Sequence, residues 1–286
     1  MKQLAAFLIL ILFSTAIFSQ QVKIPTANKT DVKKFYATTT YVVLKNGFMS
    51  DYNDAIQEAV KKFWTATPVE FIKEGDFNKY RNDADKSFLM INKVWFDEDK
   101  SNTKFDFLIL SLGGKYKTVN DMPTLCAIPL CYTGDDESKY IYKLGAMVKH
   151  CQTHMSICQQ HPELTSETMA DFYMKNSGTL ADKNLCLLKD EVDASLRNAS
   201  GMKSAYPYPT EFVSREQIEK LIFDSDEKTV IAHIISPLSG SELSFCVKII
   251  IDAKTGMLYY YDTQRIKKNQ DGYLLPNDLK KLSNKK

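Results

Sequence analysis

The strongest constraint on what this chain can fold into is its resemblance to itself. Shifted by 141 residues, Pro68-Val-Glu-Phe-Ile lies over Pro209-Thr-Glu-Phe-Val, and the register continues without a gap through Lys79 on Lys220, Asp83 on Asp224 and Asp85 on Asp226. Six of the eighteen positions from 68 to 85 are identical. With small gaps the match extends outward, so that Val42, Val43, Leu44, Lys45 and Asn46 fall on Cys186, Leu187, Leu188, Lys189 and Asp190. A duplicated chain of 286 residues folds as two related units, each large enough to build a core.

Both copies spell the same string of elements. In the first, an apolar strand over 39–45 is closed by the turn pair Asn46-Gly47. Ser50 or Asp51 then caps a helix whose Tyr52, Ala55, Ile56, Ala59, Val60 and Phe63 recur at helical spacing. A strand at 69–72, a short helix at 76–81 and strands at 87–96, 105–112 and 124–132 follow. The second copy reads as a strand at 184–189, a helix near 191–198, a strand at 210–213 and a helix opened by Ser214 with Gln217 three residues on. That spacing lets each side chain satisfy a free backbone N–H of the first turn. Strands at 229–236, 244–252 and 257–263 complete it, the last two joined by Ala253-Lys-Thr-Gly256, where glycine takes the positive φ of a hairpin bulge. The fold class is therefore α/β (α+β): two tandem βαβαβββ units with mixed sheets, at 21–132 and 181–265. Between them an αα-hairpin insert at 133–180 is expected, with helices over 137–161 and 166–175 broken at His161-Pro162. A lysine-rich tail, 266–286, is expected to be solvated.

Residues 1–20 read as a secretory signal, with Lys2 as the positive end and an apolar run over 4–18 too short to span a membrane comfortably. Ser19 is a small residue at a cleavage position, while Ile17 departs from the usual pattern, so whether and where the segment is removed stays open. No later segment reaches spanning length. The expected location is outside the cytoplasm, periplasmic or secreted, with no membrane span after removal of the signal. The 37 basic and 35 acidic residues nearly balance, which argues against a nucleic-acid binder, whose affinity needs a clustered basic surface.

The strand-helix-strand opening, the short helix and the three-strand meander resemble the N-terminal domain of the periplasmic translocation protein of Tol–Pal systems. They also resemble the periplasmic domain of the curli secretion lipoprotein. Thr40-Tyr-Val-Val-Leu, the helix over 51–64, Val69-Glu-Phe-Ile and Phe88-Leu-Met-Ile carry this likeness. It is one of pattern and brings no functional residues with it. What the resemblance implies is a non-enzymatic role in envelope assembly, with another envelope protein as partner.

Chemistry concentrates at His150-Cys-Gln-Thr-His-Met-Ser-Ile-Cys-Gln-Gln-His161. Helical spacing puts Ile141, Leu144, Val148, Cys151, Met155 and Cys158 on one apolar stripe, with the histidines along its edge. His150 and His154, one turn apart, are placed to share a soft or borderline metal, and any third ligand must come from elsewhere. His161 lies too far along the axis to join them. His233, within Val230-Ile-Ala-His-Ile-Ile, reads as a sheet histidine. Gly113-Gly114-Lys115 lacks the spacing of a phosphate loop, and Asp51/Asp54 and Asp224/Asp226 fall where capping explains them. No catalytic residue and no cofactor is assigned. Six cysteines, Cys126, Cys131, Cys151, Cys158, Cys186 and Cys246, permit disulfides in an exported chain, and a Cys186–Cys246 bridge across adjacent strands is the pairing considered. The residues together point to a non-catalytic, exported envelope protein that binds or scaffolds a partner, through its sheet edges or the exposed face of the insert. The alternatives are a metal-binding protein using His150 and His154, and a Cys/His hydrolase.

Overall fold

Strand-forming runs separated by capped helices build two sheets of identical connectivity. The computed structural model describes residues 23–47, 50–95, 104–176, 180–237, 244–266 and 272–283, so the segment 1–20 that reads as a signal lies outside the described residues. The first sheet comprises β1 (Thr39–Leu44), β2 (Val69–Lys73), β3 (Lys86–Val94), β4 (Phe105–Leu112) and β5 (Thr124–Tyr132), ordered β2-β1-β3-β4-β5. The second comprises β6 (Asn184–Leu187), β7 (Thr210–Phe212), β8 (Thr229–Ile235), β9 (Ser244–Asp252) and β10 (Leu258–Ile266), ordered β7-β6-β8-β9-β10. In each, the first three strands pair in parallel and the meander pairs antiparallel. The pairing corrects the alignment of the opening strands by one residue. Thr40 faces Val69 and Ser87, and Leu185 faces Thr210 and Val230. Val42 thus corresponds to Leu187, and Lys45, counting on, to Asp190 rather than Lys189.

Eight helices accompany the sheets among the described residues: α1 (Lys29–Phe35), α2 (Asp51–Phe63), α3 (Phe77–Tyr80), α4 (Leu144–Gln160), α5 (Met169–Asn176), α6 (Ala199–Ala205), α7 (Arg215–Phe223) and α8 (Pro276–Ser283). Two of them, α2 and α7, start at the side chains that read as caps, whereas the helix expected near 191–198 forms later, as α6 behind Asn198. Ser50 accepts from the Asn53 amide, and Ser214 and Gln217 form a reciprocal capping box. Among the described residues, no helix is long and apolar enough to cross a membrane.

Three cores result. Val42, Leu89, Leu108 and Leu110 of the first sheet share the largest with α2, α4 and the face of the second sheet that carries Cys186, Ile231, Val247 and Ile249. The other face of the second sheet, with Leu185, Leu187, Val230 and Ile250, packs under Met202 of α6 and Leu279 and Leu282 of α8. Tyr41, Val43, Phe88 and Met90 gather on the opposite face of the first sheet with Phe77 of α3.

Three expectations change. The first helix of the insert begins later than expected, because residues 137–143 form two 3-10 turns, and twelve of the seventeen residues of α4 are buried between the units. The helix therefore presents no broad exposed face for a partner. The tail is not wholly solvated either, because Leu274, Leu279 and Leu282 seal the second core and Asp278 is buried. Finally, Cys186 and Cys246 do not lie on adjacent strands. β8 separates β6 from β9, the two side chains enter different cores, and all six thiols are free.

Burying α8 required a partner for its acid. Asp278 meets Lys248 of β9 at 2.6 Å, both essentially inaccessible, and also accepts from Tyr260 Oη at 3.0 Å and the Leu275 amide at 2.8 Å. Removing one member leaves an uncompensated buried charge. Asp278→Ala is expected to lower stability by about 3–5 kcal/mol, and adding Lys248→Met to recover part of that loss; urea unfolding midpoints of the three proteins check both.

Candidate metal centre

The site is assembled by the packing of α4 on β5. Cys126 lies in the apolar run Thr-Leu-Cys-Ala-Ile of β5, with its side chain in the main core. His150 and His154 leave α4 one turn apart. One ligand atom from each of the three residues lies within 4.8 Å of the other two, and all three side chains are buried. The sequence placed the histidines on a polar edge; their exposures of 1% and 0% correct this. The third ligand that the pair lacked is Cys126.

Each imidazole is oriented from outside the cluster. His150 Nδ1 donates to the Gly256 carbonyl at 2.9 Å, which fixes the tautomer and leaves Nε2 with its lone pair. Gly256 makes this approach possible. At φ 72° it sits so close to α4 that an added Cβ would fall 2.2 Å from the His150 amide nitrogen. The glycine read as a hairpin residue is thus also the surface on which the β9–β10 hairpin docks. His154 Nδ1 lies 2.9 Å from Tyr173 Oη of α5, while its Nε2 is buried without a hydrogen-bond partner. Tyr173 covers both rings, with centroid separations of 5.7 Å to His150 and 6.1 Å to His154.

Electrostatics keep these ligands uncharged. Burial pushes His150 down to about 4. Burial, with the neighbouring His150, takes His154 to about 3. Both rings are neutral at ordinary pH, the form that binds a metal. Burial, with Cys151 beside it, holds the Cys126 thiol well above its ordinary value, so Cys126 carries its proton until an ion displaces it.

The remaining candidates disperse. His161 stands at the end of α4, paired with Glu163 at 3.2 Å and away from the cluster. His233 is buried in β8, and its Nε2 donates to the Pro129 carbonyl at 3.1 Å. Burial drives Cys186 to about 11, and Cys131 and Cys246 each to about 12. These are thiols without nucleophilic character. Asp51 occupies the first turn of α2 behind its Ser50 cap, and Asp224 follows the end of α7. Lys149, which sequence reasoning passed over, is buried and donates from Nζ to the Ile222 and Ala253 carbonyls, both at 2.7 Å. It closes the last turn of α7 from a neighbouring helix. No protein-family model, curated protein or solved structure matches this chain.

The three buried imidazoles couple stability to pH. His150, His154 and His233 are all held below the ordinary value of 6.5, first of all by burial. The unfolded chain takes up a proton on each near that value while the folded chain does not. Stability is therefore full above pH 6.5 and declines as pH falls toward 4, by about 1.4 kcal/mol per pH unit for each ring. A steep fall of the urea midpoint between pH 6.5 and 4.5 is expected; a flat profile over that range would contradict three buried neutral rings.

Proposed function

We propose that this chain is an exported, non-catalytic metal-binding protein holding one soft or borderline ion, Zn2+ or Cu+, on Cys126, His150 and His154. One observation carries the reading: a thiol from another element completes the pair of helix histidines, with all three side chains buried. A thiolate and two neutral imidazoles suit these ions better than hard, oxygen-seeking ones. Around a tetrahedral ion, sulfur and nitrogen ligands stand about 3.5 Å apart. Loading therefore draws the cluster inward by roughly 1 Å at most, and the Cys126 proton leaves as the sulfur bonds the ion.

Burial also separates this reading from a hydrolase. A Cys/His pair at 0% and 1% exposure offers no path for a substrate, and the thiol is protonated rather than activated. Retention of an ion suits a sealed site, because release requires the core to open. The apolar run at 4–18 behind Lys2 supports export of the chain.

The test is metal content and cobalt spectroscopy of the full chain. The expected result is one equivalent of Zn2+ or Cu+ per chain, and a sulfur-to-cobalt charge-transfer band on Co2+ loading that Cys126→Ser abolishes. Metal should also raise the melting temperature of the wild type and leave that of Cys126→Ser unmoved. A folded, chelator-stripped wild type that takes up none of the three ions overturns the proposal.

A further inference from the structure

The duplication supplies an internal control for a second site, away from the metal centre. In each unit the opening strand lies between two parallel neighbours, β1 between β2 and β3, and β6 between β7 and β8. At the carboxyl ends of such strands the following loops diverge and leave a crevice. Both units have one. The first, of about 640 Å3, is lined by Lys45, Glu74, Met90 and Asn92. The second, of about 180 Å3, is lined by Asp190, Arg215, His233 and Ile235. By strand register these are the same four positions, but their chemistry has changed. Lysine has become aspartate, glutamate has become arginine, and methionine has become histidine.

In the first unit the charges are used by the chain itself. Lys45 pairs with Glu137 at 2.8 Å, and Glu74 accepts from the Asn46 amide at 3.3 Å. In the second they are not. Among the described residues, neither Asp190 nor the Arg215 guanidinium makes a hydrogen bond or an ion pair; Arg215 lies over the Tyr142 ring at 5.7 Å. The other charges around this crevice are neutralised, Lys139 by Asp135 and Lys143 by Glu191. His233 adds an acceptor. Its Nε2 donates to Pro129, so the buried Nδ1 keeps a lone pair with no partner. Met90 in the equivalent place shows that the fold is satisfied there by an apolar side chain. An unpaired buried imidazole nitrogen costs about 1–3 kcal/mol unless something donates to it.

We propose that this second crevice binds a free α-amino acid, with its carboxylate on Arg215 and its ammonium between Asp190 and His233 Nδ1. One unpaired cation and one unpaired anion beside a bare acceptor match a zwitterion and mismatch a simple acid or amine. The volume is that of about six water molecules, room for a compact amino acid. Leu130 and Cys131 of β5 complete the wall, so the site exists only where the two units meet.

Calorimetry and thermal shift of the full chain with each of the twenty amino acids at neutral pH test this. At least one is expected to bind one-to-one and raise the melting temperature, while its carboxamide and its N-acetyl derivative do neither. Arg215→Gln and Asp190→Asn change side chains at the mouth and leave the fold intact by circular dichroism; each is expected to weaken binding at least about tenfold. His233→Met, which installs the first unit's residue, is expected to do the same. The proposal falls if no amino acid binds the folded wild type at millimolar concentration, if the blocked derivatives bind equally well, or if all three variants bind as tightly as the wild type.

Discussion

The arrangement depends on a helix buried with its polar side chains inside. Lys149, His150 and His154 of α4, and Lys143 just before it, are at most 6% exposed. A polar group in such a place is costly unless bonded, and a charged one more so. Each finds its partner outside the helix. Lys143 meets Glu191 after β6, Lys149 meets the end of α7 and the β9–β10 turn, His150 meets Gly256, and His154 meets Tyr173 of α5. Shifting α4 by one residue would break all four contacts together. Its apolar residues would tolerate several registers; the polar ones admit one.

This fixed helix explains why a duplicated chain is not a symmetric one. The first unit turns its α2 face toward the common core, whereas the second turns its α7 face, the counterpart of α3. The α6 face of the second unit, equivalent to the buried α2 face of the first, is left over, and α8 covers it. Equivalent surfaces thus meet different neighbours. Selection on one copy does not constrain the other, and residues such as Met90 and His233 have room to diverge.

Much of this was legible from residue patterns, and the rest was not for a definite reason. The sheets, the Ser50 and Ser214 caps and the Gly256 turn depend on neighbours within a few positions, which periodicity and turn chemistry capture. The depth of α4 does not. Its helical wheel shows one apolar stripe and a polar remainder, the pattern of a surface helix. The partners that make the remainder buriable lie 48 to 106 residues away for Lys143, Lys149 and His150. Cys126 was invisible as a ligand because it sits in an apolar strand, where a buried thiol reads as one more small hydrophobe. The tail misled through composition: Lys280 and Lys281 stay outside, while Leu274, Leu279 and Leu282 hold the helix down. Those leucines were the available signal. A buried Asp278 became legible only with Lys248 opposite it.

The stretch before α4 shows how the two units are kept in register with each other. Glu137 reaches the first unit, where it accepts from Lys45 Nζ at 2.8 Å and from the Tyr52 amide at 2.9 Å at the start of α2. There the partial positive charge of the helix terminus adds to that of the lysine. Six residues later Lys143 reaches the second unit and pairs with Glu191 at 3.0 Å. The signs are opposite, so the segment cannot be seated the other way round without setting Glu137 against Glu191 and Lys143 against Lys45. A hydrophobic linker of the same length would bury comparable surface but would not distinguish the two ends. The pair therefore contributes direction more than stability, since the attraction of a buried ion pair is largely offset by the cost of desolvating it. It also follows that the first unit's Lys45 is occupied by the chain itself, whereas Asp190 and Arg215 at the second crevice are not, an asymmetry that begins with which end of one short segment carries the acid.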